Sequence, residues 1–408
     1  MKCGLLGRKL GHSYSPQIHG LLGDYSYALF EKEPEQLGSF LKGGDFAGIN
    51  VTIPYKKDVI PYLDELSPAA QKIGSVNTIV RRADGSLFGH NSDYFGFVSL
   101  VEHSGINVEG KKVLVLGSGG TSSMVVTALK DLGAVPIVIS RSGENNYGNL
   151  HLHADASVIV NATPVGMYPN TGVSPIDLSR FPKLEGVLDV IYNPAKTKLL
   201  LDAEALGIPH ENGLWMLVAQ AKEASEYFTG KKLPDELIGK IHHILSHQMK
   251  NIVLIGMPGC GKSTIGSLLA QKLERKFVDA DEEIIHLAGK PIPDIFAQDG
   301  EEVFRQWETT ALENLGRQSG LVIATGGGCV TRKRNYPALH QNGNIVWLER
   351  DLCLLPTDGR PLSQANRLEE MYTVRKPQYE SFTDIRVENA GSPEQTVQDI
   401  LSQLEELS

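Results

Sequence analysis

Ile252-Val253-Leu254-Ile255-Gly256-Met257-Pro258-Gly259-Cys260-Gly261-Lys262-Ser263 is an apolar, β-rich run that feeds a glycine loop, and Thr264–Leu273 beyond it reads as a helix. The spacing Gly256-x-x-x-x-Gly261-Lys262-Ser263 is that of a P-loop. In such a loop backbone N–H groups cradle phosphates, the lysine neutralises them, and the serine hydroxyl is available to magnesium. Gly259, Cys260, Gly261, Lys262, Ser263 and Thr264 are therefore candidate nucleotide contacts. Strand, phosphate loop and helix in that order place this part of the chain among α/β folds.

Working back along the chain, Val113–Leu116 leads into a second glycine loop, Gly117-Ser118-Gly119-Gly120-Thr121-Ser122, which opens a predicted helix over Thr121–Leu132. Glycines there make a tight turn and let a pyrophosphate approach the backbone at a helix N-terminus. An ordinary tight turn would look the same. The next strand, Val135–Ile139, ends in Ser140-Arg141-Ser142. An NAD site would carry Asp or Glu at that point, whereas Arg suits a 2′-phosphate, so NADP is favoured over a solvated surface Arg141. The two loops are of different kinds and indicate two nucleotide-binding units rather than a repeat. A polar seam, Ser246-His247-Gln248-Met249-Lys250, separates them after predicted helices over Glu211–Phe228 and Asp235–His247.

The bulk properties agree with such a chain. A length of 408 residues calls for more than one core. A net charge of -9 argues against a nucleic-acid binder, which would show a basic face. Cys3, Cys260, Cys329 and Cys353 form no C-x-x-C pair, so neither a zinc site nor a disulfide framework is expected. Arg8, Lys9 and His12 interrupt the first apolar residues, which makes a poor signal peptide. No apolar run approaches the ~18–20 residues that span a bilayer. The expected compartment is the cytoplasm, with small-molecule partners and neither nucleic acid nor membrane.

Chemistry-bearing residues also stand outside the glycine loops. Hydride transfer to a ketone leaves an alkoxide that needs a proton, and a Lys with a carboxylate can supply it. Lys56, in Asn50-Val51-Thr52-Ile53-Pro54-Tyr55-Lys56, and Asp93, in His90-Asn91-Ser92-Asp93, are the candidates, although each could equally be a surface turn residue. In the last part of the chain, Phe277-Val278-Asp279-Ala280-Asp281 reads as a strand end with two carboxylates on one face. One can organise magnesium and the other can meet a substrate hydroxyl. Arg305 and Arg375 could each clamp a carboxylate with a bidentate fork, or form surface ion pairs.

Taken in order, Gly11-His12-Ser13-Tyr14-Ser15-Pro16, Asn50–Lys56, Gly74-Ser75-Val76-Asn77-Thr78 and Asn91-Ser92-Asp93 resemble the motifs of shikimate dehydrogenases. So do Asn161-Ala162-Thr163-Pro164-Val165-Gly166-Met167, Asp189-Val190-Ile191-Tyr192-Asn193-Pro194 and Gly213-Leu214-Trp215-Met216-Leu217-Val218-Ala219-Gln220-Ala221. The resemblance implies that Ser13 and Ser15 bind the shikimate carboxylate. It implies that Thr52, Asn77, Tyr192 and Gln220 help hold the carboxylate and ring hydroxyls. Lys56 and Asp93 would be the catalytic pair. Gly117, Ser118, Gly119, Gly120, Thr121, Ser122, Ser140, Arg141, Ser142, Thr163, Gly213 and Met216 would line NADP(H). The chain departs from the family twice: Ser142 to Asn161 is short, so a helix of the Rossmann unit is expected to be missing or stunted, and Ser92 stands where Thr is usual.

The last part resembles shikimate kinases through its P-loop, Asp279-x-Asp281, Phe304-Arg305, Thr325-Gly326-Gly327-Gly328, Gly359-Arg360-Pro361-Leu362 and Arg375-x-Pro377-x-Tyr379. The resemblance implies that Asp281, Arg305, Gly327, Gly328 and Arg375 bind shikimate, with Asp281 and Lys262 acting in catalysis. Ser263 and Asp279 would sit at Mg2+, and Arg360 would reach ATP from a lid. An Arg usual ahead of that lid is absent from Leu354-Leu355-Pro356-Thr357-Asp358, which bears on adenine affinity. The expected architecture is α/β: a substrate domain over 1–104 completed by helices in 212–247, a Rossmann-like NADP domain over 105–211, and a P-loop kinase domain over 250–408. The expected activities are NADPH-dependent reduction of 3-dehydroshikimate to shikimate and MgATP-dependent formation of shikimate 3-phosphate. Quinate and gluconate are the rival substrates, and a degenerate sensor or scaffold is the non-enzymatic rival.

Overall fold

Three sheets carry the described residues of the computed structural model, which are 1–11, 13–355 and 365–407. The first is mixed, built from β1 (Lys2–Gly7), β2 (Ser26–Glu31), β3 (Gly48–Val51), β4 (Glu65–Leu66), β5 (Thr78–Arg81) and β6 (Leu87–His90) in the order β2-β1-β3-β5-β6-β4. Its antiparallel pairs are β3 with β5 and β5 with β6. The second is parallel, with β7 (Lys112–Leu116), β8 (Val135–Ile139), β9 (Val158–Asn161), β10 (Gly186–Asp189) and β11 (His210–Glu211) ordered β11-β10-β9-β7-β8. The third, also parallel, holds β12 (Asn251–Ile255), β13 (Phe277–Asp279), β14 (Val322–Ala324), β15 (Gly343–Glu349) and β16 (Ile385–Glu388) in the order β13-β14-β12-β15-β16. The expected α/β class is thus borne out.

The runs that feed the glycine loops are central strands, which explains their unbroken apolar character. Val113, Leu114, Val115 and Leu116 expose nothing, and every residue of β12 is buried. A parallel strand covered by helices on both faces has no solvent side to pattern. The chain divides into two compact units, one of residues 1–167, 173–192 and 199–245, the other of 168–172, 193–198 and 246–408. The first two sheets belong to the former and the third to the latter. Among the described residues no helix is long and apolar enough to cross a membrane.

Some boundaries differ from the sequence reading for physical reasons. All of the polar seam Ser246–Lys250 except Lys250 is the last turn of the helix Glu236–Met249, since none of those residues breaks a helix. The helix expected from Glu211 starts at Leu214, where Asn212 Oδ1 accepts from the Leu214 N–H at 2.8 Å. Between β8 and β9 only the 3₁₀ turn Leu150–His153 forms, so that edge lacks an α-helix as the short spacing implied. Its loop is held instead by Asn146 and Asn149, whose side chains bond Gly143 O and Glu144 O at 3.1 and 2.8 Å.

Candidate active sites

In the first unit, a cavity of about 240 Å³ opens between the first sheet and the C-terminal end of the second. Lys56 and Asp93 meet on its wall, with Lys56 Nζ donating to Asp93 Oδ2 at 2.6 Å. They arrive from distant elements. Lys56 follows β3 after the turn at Pro54, and Asp93 is the second residue of the helix Ser92–Ser104 that leaves β6. Ser13, Ser15, Thr52 and Asn77 line the same cavity, as do Tyr192, Gly213, Met216 and Gln220. Each residue assigned to the substrate side of this unit therefore reaches one cavity.

Two amides there are fixed in opposite senses. The Ser92 N–H donates to Asn77 Oδ1 at 2.7 Å, and Gln220 Nε2 donates to Leu217 O at 2.8 Å. Asn77 thus turns its NH2 group away from the Ser92 N–H, with one N–H already on Ser92 Oγ at 3.1 Å, and Gln220 presents its carbonyl oxygen, 3.4 Å from the same hydroxyl; the second N–H and the remaining lone pair suit a polyol. Ser92 itself is buried, bonding Asn77 and, at 3.1 Å, Thr78 Oγ1. Tyr192 rests edge-on against Tyr14 with ring centroids 6.2 Å apart, and burial pushes its hydroxyl pKa up.

Asn50 also lines the cavity and was missed, although it lies in the quoted Asn50–Lys56 run. The two-residue alternation of β3 puts it on the face of Thr52, and that is the signal that could have found it. Tyr27 OH donates to Asn50 Oδ1 at 2.8 Å, and the ring of the buried His19 stacks on Tyr27 at 4.0 Å. Burial drives the His19 pKa down to about 3. Leu5, Val51, Val190 and Leu217 supply apolar wall; the last three lie inside quoted motifs without having been singled out, and Leu5 lies outside them.

The dinucleotide loop follows β7. Gly117 has φ +107°, and a Cβ there would lie 2.9 Å from Thr163 Cγ2, so only glycine fits. The buried Ser122 donates from Oγ to Gly117 O at 2.7 Å, closing the loop over the helix Gly120–Asp131. Ser118, Gly119 and Thr121 lie on this turn, and Ser140, Arg141 and Ser142 leave β8 beside it, with Arg141 and Ser142 exposed.

In the second unit the P-loop is closed on itself. The buried Lys262 donates from Nζ to Gly256 O at 2.9 Å and to Met257 O at 3.0 Å. Ser263 Oγ donates to Asp279 Oδ2 at 2.8 Å, which unites the two residues assigned to magnesium. Two hard oxygens beside a phosphate loop are the donor chemistry that magnesium takes. Among the described residues no group of three His, Cys, Asp or Glu side chains could hold a metal.

The pair Asp279 and Asp281 requires a correction. They do not share a strand face, because β13 ends at Asp279 and Asp281 lies in the first turn of the helix Ala280–Ala288. Asp279 caps that helix by accepting the Asp281 N–H at 3.0 Å, so a helix cap rather than strand alternation aims the two carboxylates. Asp281 Oδ1 lies 3.2 Å, and Glu308 Oε1 2.9 Å, from where a Cβ on Gly326 would stand. Gly327 packs on Pro258 of the P-loop and Gly328 on the Arg305 guanidinium, leaving 2.6 Å and 2.3 Å for a Cβ. The glycine run therefore lies between the phosphate loop and Arg305.

Arg305 grips Glu308 with Nη1 at 3.1 and 2.9 Å and reaches Glu301 with Nη2 at 3.2 Å. Arg305 is 8% exposed and Glu308 1%. Burial, with Asp281 adding to it, holds the Glu308 carboxyl above its ordinary pKa against the pull of Arg305. Glu308 was missed, although the three-residue spacing from Arg305 on one helix pointed to it. Arg375 Nη1 and Tyr379 OH both donate to Gly327 O, at 3.1 and 2.5 Å. Arg360 lies outside the described residues.

Comparison with known proteins bears on both units. The shikimate kinase family model matches residues 258–405, and the model of the shikimate dehydrogenase substrate binding domain matches residues 5–79. A shikimate dehydrogenase (NADP(+)) of Clostridium perfringens is 37% identical over 252 residues, 56% of this chain and 93% of that protein. The structure of shikimate 5-dehydrogenase from Thermus thermophilus in complex with NADP(H) and shikimate is 30% identical, with a TM-score of 0.54 over 60% of this chain and 99% of that one. A quinate dehydrogenase from Corynebacterium glutamicum in complex with NAD is also 30% identical, with a TM-score of 0.54 over 60% of this chain and 98% of that one.

Proposed function

This chain belongs to the shikimate dehydrogenase family through its first part and carries a shikimate kinase domain over 258–405, and from that premise we propose that it makes shikimate and then phosphorylates it. The first unit reduces 3-dehydroshikimate to shikimate, and the second converts shikimate to shikimate 3-phosphate. The observation that carries the reading is the single cavity in which the Lys56–Asp93 pair faces Ser13, Ser15, Asn77 and Gln220.

NADPH, when bound, supplies the hydride. Lys56 gives its proton to the carbonyl oxygen as that oxygen gains charge, and Asp93 holds the Lys56 ammonium in place. The Ser13 and Ser15 hydroxyls take the substrate carboxylate, while Asn77 and Gln220 meet ring hydroxyls with a donor and an acceptor. A site built this way rejects analogues that lack a hydroxyl, because its buried polar groups would be left unpaired. Ser140, Arg141 and Ser142 hold the 2′-phosphate.

In the second unit ATP supplies the phosphoryl group. Lys262 turns from Gly256 O and Met257 O to the phosphates, and Ser263 with Asp279 holds Mg2+. Arg305 and Arg375 clamp the shikimate carboxylate, and Asp281 accepts the proton of the attacking hydroxyl.

Each half has its own test. Shikimate with NADP+ should give NADPH, and shikimate with MgATP should give ADP. The quinate dehydrogenase likeness makes quinate the control for the first half, and gluconate serves for the second. Turnover of quinate or gluconate at rates equal to shikimate would overturn the substrate assignment. Ligand binding without turnover would favour a sensor.

A further inference from the structure

Asn161 and Asp189 end the neighbouring strands β9 and β10 and face each other in register. Neither exposes any surface. A carboxylate so far from water is costly unless its hydrogen bonds are made. Asp189 Oδ1 accepts two, from Asn161 Nδ2 at 3.0 Å and from the Ile191 N–H at 3.0 Å.

These bonds lead to different ligands. The Ile191 bond closes the turn at the end of β10 that sends Val190 and Tyr192 to the cavity wall. The Asn161 bond leads the other way. The amide of Asn161 turns its NH2 group toward Asp189 and its oxygen away, toward Thr163. That oxygen accepts from the Thr163 N–H at 3.1 Å and from Thr163 Oγ1 at 2.7 Å. Thr163 in turn packs on Gly117, the first residue of the dinucleotide loop.

We propose that Asp189 is a positioning residue shared by both ligands of the dehydrogenase. Through the Ile191 turn it sets Tyr192 for the substrate, and through Asn161 it sets Thr163 for the dinucleotide. The inference rests on the dehydrogenase reading proposed above and adds to it a residue that touches neither ligand.

The test is steady-state kinetics of the full chain with shikimate and NADP+, with the circular dichroism and thermal melt of each variant compared with wild type to show that the first unit is folded. Asp189→Ala should raise the KM for both ligands about tenfold, the effect of about 1.4 kcal/mol on each. Asp189→Asn keeps an oxygen where Oδ1 stands, and because both bonds end on that oxygen it should leave both KM values within about twofold. Asn161→Ala removes only the bond that leads to Thr163, so it should raise the NADP+ KM about fivefold and leave the shikimate KM within about twofold. An Asp189→Ala enzyme with either KM unmoved would overturn the proposal, as would an Asn161→Ala enzyme whose two KM values rise together. Should Asp189→Ala fail to fold, the Asn161→Ala pattern still decides. Wild-type turnover of shikimate tests the functional reading separately, since only the variants bear on Asp189.

Discussion

The two candidate sites are prepared for their ligands in different ways. In the dehydrogenase cavity the reacting groups already stand as the chemistry needs them: Lys56 is paired with Asp93, and Asn77 and Gln220 are fixed by Ser92 and Leu217. In the kinase site the corresponding groups are occupied by the protein itself. Lys262 bonds its own loop, Ser263 bonds Asp279, Arg305 bonds Glu308 and Glu301, and Arg375 bonds Gly327. A hydride acceptor needs one oriented proton donor, which can be set in advance. A phosphoryl-transfer site must meet several charges at once, and keeping its cations paired until then avoids unpaired buried charge.

Substitutions can break this contrast. Lys56→Ala should lower dehydrogenase kcat by about 10²–10⁴ while kinase turnover stays within about twofold. Lys262→Ala should do the reverse, lowering kinase kcat by about 10²–10³. Assaying both activities of each purified variant checks the pair. Loss of both activities in either variant would show that the two sites do not work independently. Next in size is Glu308→Ala, which leaves Arg305 buried without its main partner. It should destabilise the second unit by about 3–5 kcal/mol, read by denaturant unfolding. An unchanged midpoint would mean that the pair is not held in solution.

Smaller effects sharpen the contrast on the dehydrogenase side. Arg141→Ala removes a charged contact worth about 1.5–3 kcal/mol and should raise the NADPH KM about tenfold or more, with the shikimate KM unmoved. An unchanged NADPH KM would remove the basis for NADP selection by Arg141. The smallest effect concerns pH. Burial holds the His19 pKa at about 3, below the ordinary 6.5, so the unfolded chain takes up the proton first. The first unit should lose roughly 1.4 kcal/mol per pH unit from this group as pH falls below 6.5 toward 3. His19→Gln should remove that one-proton slope from urea midpoints measured between pH 7 and 5. A slope equal to wild type would contradict the burial of a neutral His19.

What the sequence disclosed depended on how local the signal was. Both glycine loops were readable because strand, turn and helix follow one another within a few residues, and the bare edge after β8 was readable from spacing alone. Asp279 and Asp281 were read on the wrong geometry, because an Asp that caps a helix also looks like the last residue of a strand. Glu308 left only a three-residue spacing, which surface ion pairs share. Asn161 and Asp189 meet only through the parallel register of β9 and β10, and no single stretch of chain contains that information. Arg360 was readable as part of a motif but lies outside the described residues.

The central claim is that the product of the first site is the substrate of the second, and a coupled assay tests it most directly. The full chain is given 3-dehydroshikimate, NADPH and MgATP, and NADPH oxidation and ADP release are followed together. The account predicts that both occur and that ADP release requires NADPH. NADPH consumption with no ADP, even after shikimate is added, would contradict it.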